Sequence, residues 1–148
     1  MSARWSPERL DPSAYPGPGL DLPVLYGNLD TNGHLNNVEM GRFFEHARAT
    51  TWAPSGFWKA VHRAGGLSVV VRVCIDYLSE VRLPATLHLR TRMARLGTAS
   101  AVVEQGAWVG DRCVGLAEVT FVHSKQGASA PWPEEARALL AAMLETTP

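Results

Sequence analysis

Asn28-Leu29-Asp30-Thr31-Asn32-Gly33-His34-Leu35-Asn36-Asn37, continued by Val38-Glu39-Met40-Gly41-Arg42-Phe43-Phe44-Glu45-His46-Ala47-Arg48, is the stretch that decides the fold. An apolar run (Leu22, Val24, Leu25) leads into it, and Met40, Phe43, Phe44, Ala47 and Thr51 follow at helical spacing until Pro54 ends the pattern. The reading is a first strand over Leu22 to Asn28, a polar turn, and then a long helix from Asn36 or Asn37 with a face made for burial. Asn36 with Glu39 three residues on resembles a capping box, in which each side chain satisfies a backbone donor of the other residue.

Outward from this helix, Phe57-Trp58 with Val61 suggests a short helix before the Gly65-Gly66 break. The period then becomes two: Leu67, Val69, Val71, Val73, Ile75 and Tyr77 alternate with Ser68, Arg72, Cys74 and Asp76, with Val70 the exception. A second alternating run follows Pro84, a turn falls at Leu96-Gly97-Thr98, and strands run over Ser100 to Val109 and Cys113 to His123 around a Gly110-Asp111 turn. These hairpins predict an antiparallel meander. Trp132-Pro133 and the apolar Leu139, Leu140, Met143 and Leu144 predict a closing helix with proline in its first turn. One long apolar helix among antiparallel strands packs economically if the sheet curls around it, an α+β architecture in which the odd positions from Leu67 to Tyr77 face Phe43 and Phe44.

At 148 residues and 46% hydrophobic content, one domain can bury a sizeable core. Residues 1–20 carry four prolines and two glycines among them and read as a tail or strap, leaving residues 21–148 as the domain. Lys+Arg and Asp+Glu cancel at 14 each, so neither a nucleic-acid footprint nor attraction to an anionic membrane is expected. Cys74 and Cys113 fall in strand-like runs as small core residues. Without a signal pattern or a membrane-length apolar run, the expected location is the cytoplasm.

The chemistry gathers at the strand-to-helix turn. Taken in isolation, Asp-Thr-Asn-Gly is a turn sequence. Placed before a helix, Asp30 is also a carboxylate beside unpaired amides. Asp30 can orient and deprotonate water, or attack a carbonyl itself, while the amides near Asn37 and Val38, at the positive end of the helix, can hold an oxyanion. Gly33 permits the turn and leaves room for an acyl thioester, and His34 can hold the loop or give a proton to a leaving thiolate. Glu45 is expected in a salt-bridged helix face with Arg42 and Arg48. His46, His62, His88 and His123 share no metal-ligand spacing and read as surface or strand residues. Arg90, Arg92, Arg95 and Arg112 read either as a solvated strand face or as a landing site for the phosphates of coenzyme A.

Asp30-Thr31-Asn32-Gly33-His34-Leu35-Asn36-Asn37 with Phe43-Phe44-Glu45-His46-Ala47-Arg48 resembles the hotdog-fold thioesterases of the 4-hydroxybenzoyl-CoA thioesterase type, whose pattern is Asp-x-x-Gly-His-x-Asn-Asn and then Glu-x-Ala-Arg. Ile75-Asp76-Tyr77-Leu78 and Arg95-Leu96-Gly97-Thr98-Ala99-Ser100 resemble its second strand and third hairpin, so the likeness spans roughly Leu22 to Pro133. The resemblance implies five or six antiparallel strands wrapped around the long helix, and a homodimer or homotetramer with active sites at the dimer interface. It also implies an acyl-CoA or carrier-bound acyl substrate, with coenzyme A entering as part of the substrate and no separate cofactor or metal. Asp30 matches the family's catalytic carboxylate, the amide of Asn37 its oxyanion donor, and Arg95 and Ser100 its variable coenzyme A contacts. Met40 stands where an aromatic, usually tyrosine, walls the acyl pocket, and Asn28 where many members carry aspartate. The alternative of another class is a hotdog module that binds acyl thioesters without cleaving them.

Overall fold

Asn36 sets where the long helix begins. In the computed structural model, which describes residues 5–146, its backbone is extended and its Oδ1 accepts the Val38 amide at 2.8 Å, so α1 runs Asn37–Trp52. The box is not completed by Glu39, whose carboxylate instead takes Asn28 Nδ2 at 3.0 Å and Arg42 at 2.8 Å, while the Asn36 amide donates to the Asn28 carbonyl at 2.9 Å. The first strand, β1, covers Leu20–Pro23 rather than Leu22 to Asn28. Beyond it the chain closes into a 3-10 turn over Tyr26–Asn28, because Asn28 Oδ1 accepts the Leu25 amide at 2.8 Å and competes with strand pairing.

The remaining elements are α2 (Phe57–Arg63), β2 (Leu67–Tyr77), β3 (Thr86–Leu96), β4 (Ser100–Val109), β5 (Arg112–Lys125), β6 (Ala128–Ser129) and α3 (Glu134–Glu145). Pro133 stands at the N-cap of α3, just outside its first turn. The strands form one antiparallel sheet in the order β1-β3-β4-β5-β2, with β6 on the end of β5. Thus β3, β4 and β5 make the expected hairpin run, whereas β2 crosses over to pair with β5 rather than with β3. Helix α1 lies in the hollow of the sheet, with Met40, Phe44 and Ala47 buried among Val81, Leu87, Leu89, Ala107, Val114 and Ala117. Phe43 and Thr51 are only half-buried.

This placement corrects the expected partners of the apolar row on β2. The helix covers β3 to β5, so only Ile75 joins its cluster, while Leu67 (56%), Val71 (58%), Val73 (53%) and Tyr77 (53%) stay exposed on an edge strand. A bulge between Val70 and Arg72 explains why Val70 broke the alternation. Val70 lies opposite Phe121 and Val73 opposite Val119, so the inward phase moves from even to odd numbers across the extra residue.

Of the segment expected over 1–20, residues 1–4 lie outside the described residues. The rest makes two 3-10 turns, Pro7–Leu10 and Pro12–Ala14, that cover the outer face of the sheet. Tyr15 stands edge-on to Trp108 at 5.3 Å, and Trp108 Nε1 donates to the Leu10 carbonyl at 2.9 Å. Buried Glu104 accepts Arg92 at 2.9 and 2.8 Å and Arg9 at 2.7 Å. Covered by α1 on one face and this strap on the other, β4 is buried from Ala101 to Trp108. Among the described residues no helix is long and apolar enough to cross a membrane.

Candidate active site

The Asp30 turn is built by its own hydrogen bonds. Asp30 Oδ1 accepts the amides of Asn32 at 2.8 Å and His34 at 3.1 Å, the Asp30 amide donates to the His34 carbonyl at 2.8 Å, and Gly33 takes the left-handed φ of 71° that the turn requires. The turn reading and the chemical reading of Asp30 therefore share one residue, since no hydrogen bond within this turn engages Oδ2. The His34 amide chiefly, then that of Asn32 and the charges of His34 and Arg82, holds the Asp30 carboxyl below its ordinary value against the opposing effect of burial. Leu35 donates to the Val81 carbonyl at 2.8 Å, which ties the turn to the β2–β3 loop.

Between them lies a cavity of about 410 Å³ lined by Asp30, His34, Leu35, Asn37, Met40, Tyr77, Leu78, Ser79, Glu80 and Val81. Of the first amides of α1, that of Val38 is occupied by the Asn36 side chain, whereas that of Asn37, which lines the cavity, is not engaged by the cap. Tyr77 reaches the same helix start, its hydroxyl donating to the Asn37 carbonyl at 3.1 Å. Asp30, Gly33, His34, Asn37 and Met40 are thus gathered at one place.

Arg95 and Ser100 are not. Ser100 pairs with Val122 and Val122 with Val69, eight residues along β2 from Tyr77, a separation of roughly 25 Å along the strands. Arg95 is on the rung of Arg72, three strands across. The arginines expected to cluster are dispersed: Arg90 donates to the Gly17 carbonyl, Arg92 serves Glu104, and Arg112 sits at the cavity end, bonded to Ser79 Oγ. The helix face also differs from expectation. Arg42 pairs with Glu39, and Arg48 turns into the core to donate to Gln105 at 3.0 Å, because Gln105 points inward from β4 beneath it. His123, expected as a surface or strand residue, is on strand β5 and buried: it is 2% exposed, with Nδ1 2.7 Å from the Pro131 carbonyl. Among the described residues no group of three or more His, Cys, Asp or Glu could hold a metal ion.

The sequence profile described as the thioesterase-like superfamily matches residues 24–140, most of the chain. The chain belongs to the thioesterase-like superfamily. Within this thioesterase-like group it has the hotdog fold, and it superposes on PA2801 of Pseudomonas aeruginosa with a TM-score of 0.69 at 28% identity, covering 81% of this chain and 95% of that one. A thioesterase of Thermus thermophilus solved with coenzyme A and zinc matches with a TM-score of 0.72 at 24% identity, covering 84% of this chain and 92% of that one. Protein THEM6 of Xenopus laevis is 33% identical over 82 residues, 55% of this chain and 40% of the length of that relative.

In this thioesterase-like chain, asparagine at position 28 has a local reason. Its Nδ2 donates to Glu39, a contact that an aspartate there would turn into repulsion. Sequence reading missed Glu80 and Arg82. His34 Nε2 lies 2.8 Å from Glu80 Oε2 and also contacts the Arg82 guanidinium, whose Nε donates to Glu80 Oε1 at 3.2 Å. Arg82, foremost by its hydrogen bond, then His34 and Arg112 lower the Glu80 carboxyl from its ordinary value. These residues stand some fifty positions after the turn, and only the crossover of β2 to β5 brings their loop to it. No local motif announces them.

Proposed function

We propose that this thioesterase-like protein hydrolyses acyl-CoA, or carrier-bound acyl, thioesters in the cytoplasm, with Asp30 as general base or nucleophile and the Asn37 amide as oxyanion donor. The observation that carries this reading is a single cavity lined by both Asp30 and Asn37 and walled by the apolar Leu35, Met40, Leu78 and Val81. As a base, Asp30 takes a proton from water as the water oxygen bonds to the thioester carbon. The carbon–sulfur bond then breaks, and the thiolate takes the proton that Asp30 accepted from water. As a nucleophile, the carboxylate displaces the thiolate to give an acyl anhydride that water hydrolyses. Either route develops an oxyanion, where one amide donor contributes about 2.7–4 kcal/mol. The Thermus fold neighbour solved with coenzyme A supports the substrate class.

The exposed apolar row on β2 supports assembly of two copies. Among the described residues no strand occupies the outer edge of β2, and a two-fold axis near Val73 pairs it with its own copy in antiparallel fashion. That operation sets the Arg95–Ser100 end of one protomer beside the Asp30 end of the other. Residues separated within one chain would then share a site, and residues 21–148 would act as the working domain with the strap as an accessory.

Thiol release from a panel of acyl-CoAs tests the reading against Asp30→Asn. Asparagine keeps the Oδ1 acceptor for the two turn amides and removes the charge, so turnover is expected to fall roughly 10²–10⁴-fold with the turn retained. Full activity in the variant removes Asp30 from the chemistry. Binding without turnover across the panel supports the acyl-thioester-binding module instead. Single-turnover hydrolysis in oxygen-18 water separates the routes: label in the Asp30 carboxylate marks an acyl-enzyme, and label confined to product marks a base.

A further inference from the structure

The imidazole of His34 is approached on one nitrogen by two groups that make opposite demands of it. Glu80 Oε2, 2.8 Å from Nε2, requires a proton on that nitrogen, whereas the Arg82 guanidinium, which also contacts Nε2, can only donate to a lone pair there. Both cannot be satisfied at once. Which one prevails decides whether the other ring nitrogen, Nδ1, is an acceptor or a donor, and a histidine beside a reacting bond acts differently in the two states.

The surroundings favour Glu80. Arg82 has a second acceptor within reach, since its Nε donates to Glu80 Oε1 at 3.2 Å, so it keeps a charge-assisted bond when Nε2 is protonated. His34 Nε2, if it held a lone pair, would leave Glu80 Oε2 without its imidazole partner. The loop is also fixed from behind: Arg112 bonds Ser79 Oγ and lies 3.4 Å from the Glu80 carbonyl, and the Leu35 amide holds the Val81 carbonyl at 2.8 Å. Glu80 therefore approaches the side chain of a residue whose backbone amide Asp30 already holds.

We propose that Glu80 is a positioning residue that keeps the side-chain proton of neutral His34 on Nε2, leaving Nδ1 as an acceptor, and that Arg82, although it touches Nε2, directs its donors to Glu80 rather than to a lone pair there. This assigns a task in the site to two residues of the β2–β3 loop, and its kinetic consequence rests on the thioester-hydrolysis reading above. The assignment of the proton does not.

Long-range ¹⁵N–¹H spectra of ¹⁵N-histidine protein, recorded above the titration range of histidine with His34→Gln marking the resonance, read the tautomer directly. The expected result is an Nε2–H pattern in the wild type and in Arg82→Ala, and a change to Nδ1–H in Glu80→Ala, where Arg82 gains the lone pair. A wild type that carries Nδ1–H, or a Glu80→Ala protein that retains Nε2–H, overturns the proposal. A merely structural role for Glu80 would leave the tautomer where it was. In acyl-CoA turnover, Glu80→Ala is expected to lower kcat on the order of tenfold with KM little changed. A wild type that hydrolyses no acyl thioester overturns the proposed function, and the spectra then decide the tautomer alone.

Discussion

The two ends of the sheet beneath α1 are built from the same strands and are filled in opposite ways. At the end where β2 begins, Trp52, Phe57, Phe121 and Trp132 interlock with ring centroids 5.5–5.6 Å apart, and His123 stacks on Trp132 at 5.6 Å. Helices α2 and α3 close over them. At the end where β2 finishes there is a cavity of about 410 Å³ rimmed by Asp30, His34 and Glu80. The difference shows a division of labour along one strand direction. Aromatic packing at one end supplies rigidity, so the other can hold a hollow site whose polar groups are tied by backbone hydrogen bonds instead of by burial.

Phe57→Ala gives the largest expected effect on stability. Phe57 is 1% exposed and touches Trp52, Trp58 and Trp132, so its removal leaves a cavity that cannot collapse and costs about 3–5 kcal/mol. In a domain of this size that lowers Tm by roughly 6–20 °C. Thioesterase turnover well below the new Tm should change less than twofold, the reverse of Asp30→Asn. A turnover loss as severe as the loss of stability would break the comparison, because the two ends would then be mechanically coupled.

Val73→Lys tests the strand that joins the two ends. Val73 is exposed in one copy, so the change should leave the isolated fold intact, yet it places a charge in the proposed pairing of β2 with its own copy. An increase in the dimer dissociation constant of about thirtyfold or more is expected, equivalent to about 2 kcal/mol, measured by light scattering across a dilution series. Thioester turnover should fall in parallel if the site needs both ends. An unchanged mass would place the interface elsewhere.

How far the sequence could be read follows the same division. The turn, the helix and its buried face were legible because capping, glycine at positive φ and helical periodicity are local. The alternation of β2 was legible as a strand but not as an edge. Periodicity tells which residues share a face and not which strand lies alongside, so the whole row from Leu67 to Tyr77 was assigned to a helix that reaches only its Ile75–Tyr77 end. The cover over β4 was unreadable for a similar reason: Tyr15 and Trp108 meet across nearly a hundred residues, and a proline-rich segment gives no sign of the face it will seal. Asp30 was legible as a candidate because its turn and the Asn37 amide are seven residues apart. Glu80 and Arg82 were not, since only the crossover of β2 brings them to His34.

Asn28→Asp should give the smallest effect and the finest discrimination. Aspartate keeps the Oδ1 acceptor for the Leu25 amide but replaces the donor to Glu39 with a second carboxylate, which should cost about 1 kcal/mol at neutral pH. The repulsion raises the folded-state pKa of the new pair above its unfolded value, so the loss is full at neutral pH and recovers as pH falls through the carboxylate range. Asp30 behaves in the opposite sense. Its folded pKa is lowered by the His34 and Asn32 amides, so the stability it contributes is present above its unfolded pKa, near 3.9, and is lost as pH falls through the folded value. Urea midpoints of the variant and the wild type should therefore differ at pH 7 and converge toward pH 4. A constant difference at both pH values would mean that the lost Asn28–Glu39 hydrogen bond, and not the added charge, sets the cost at the hollow end.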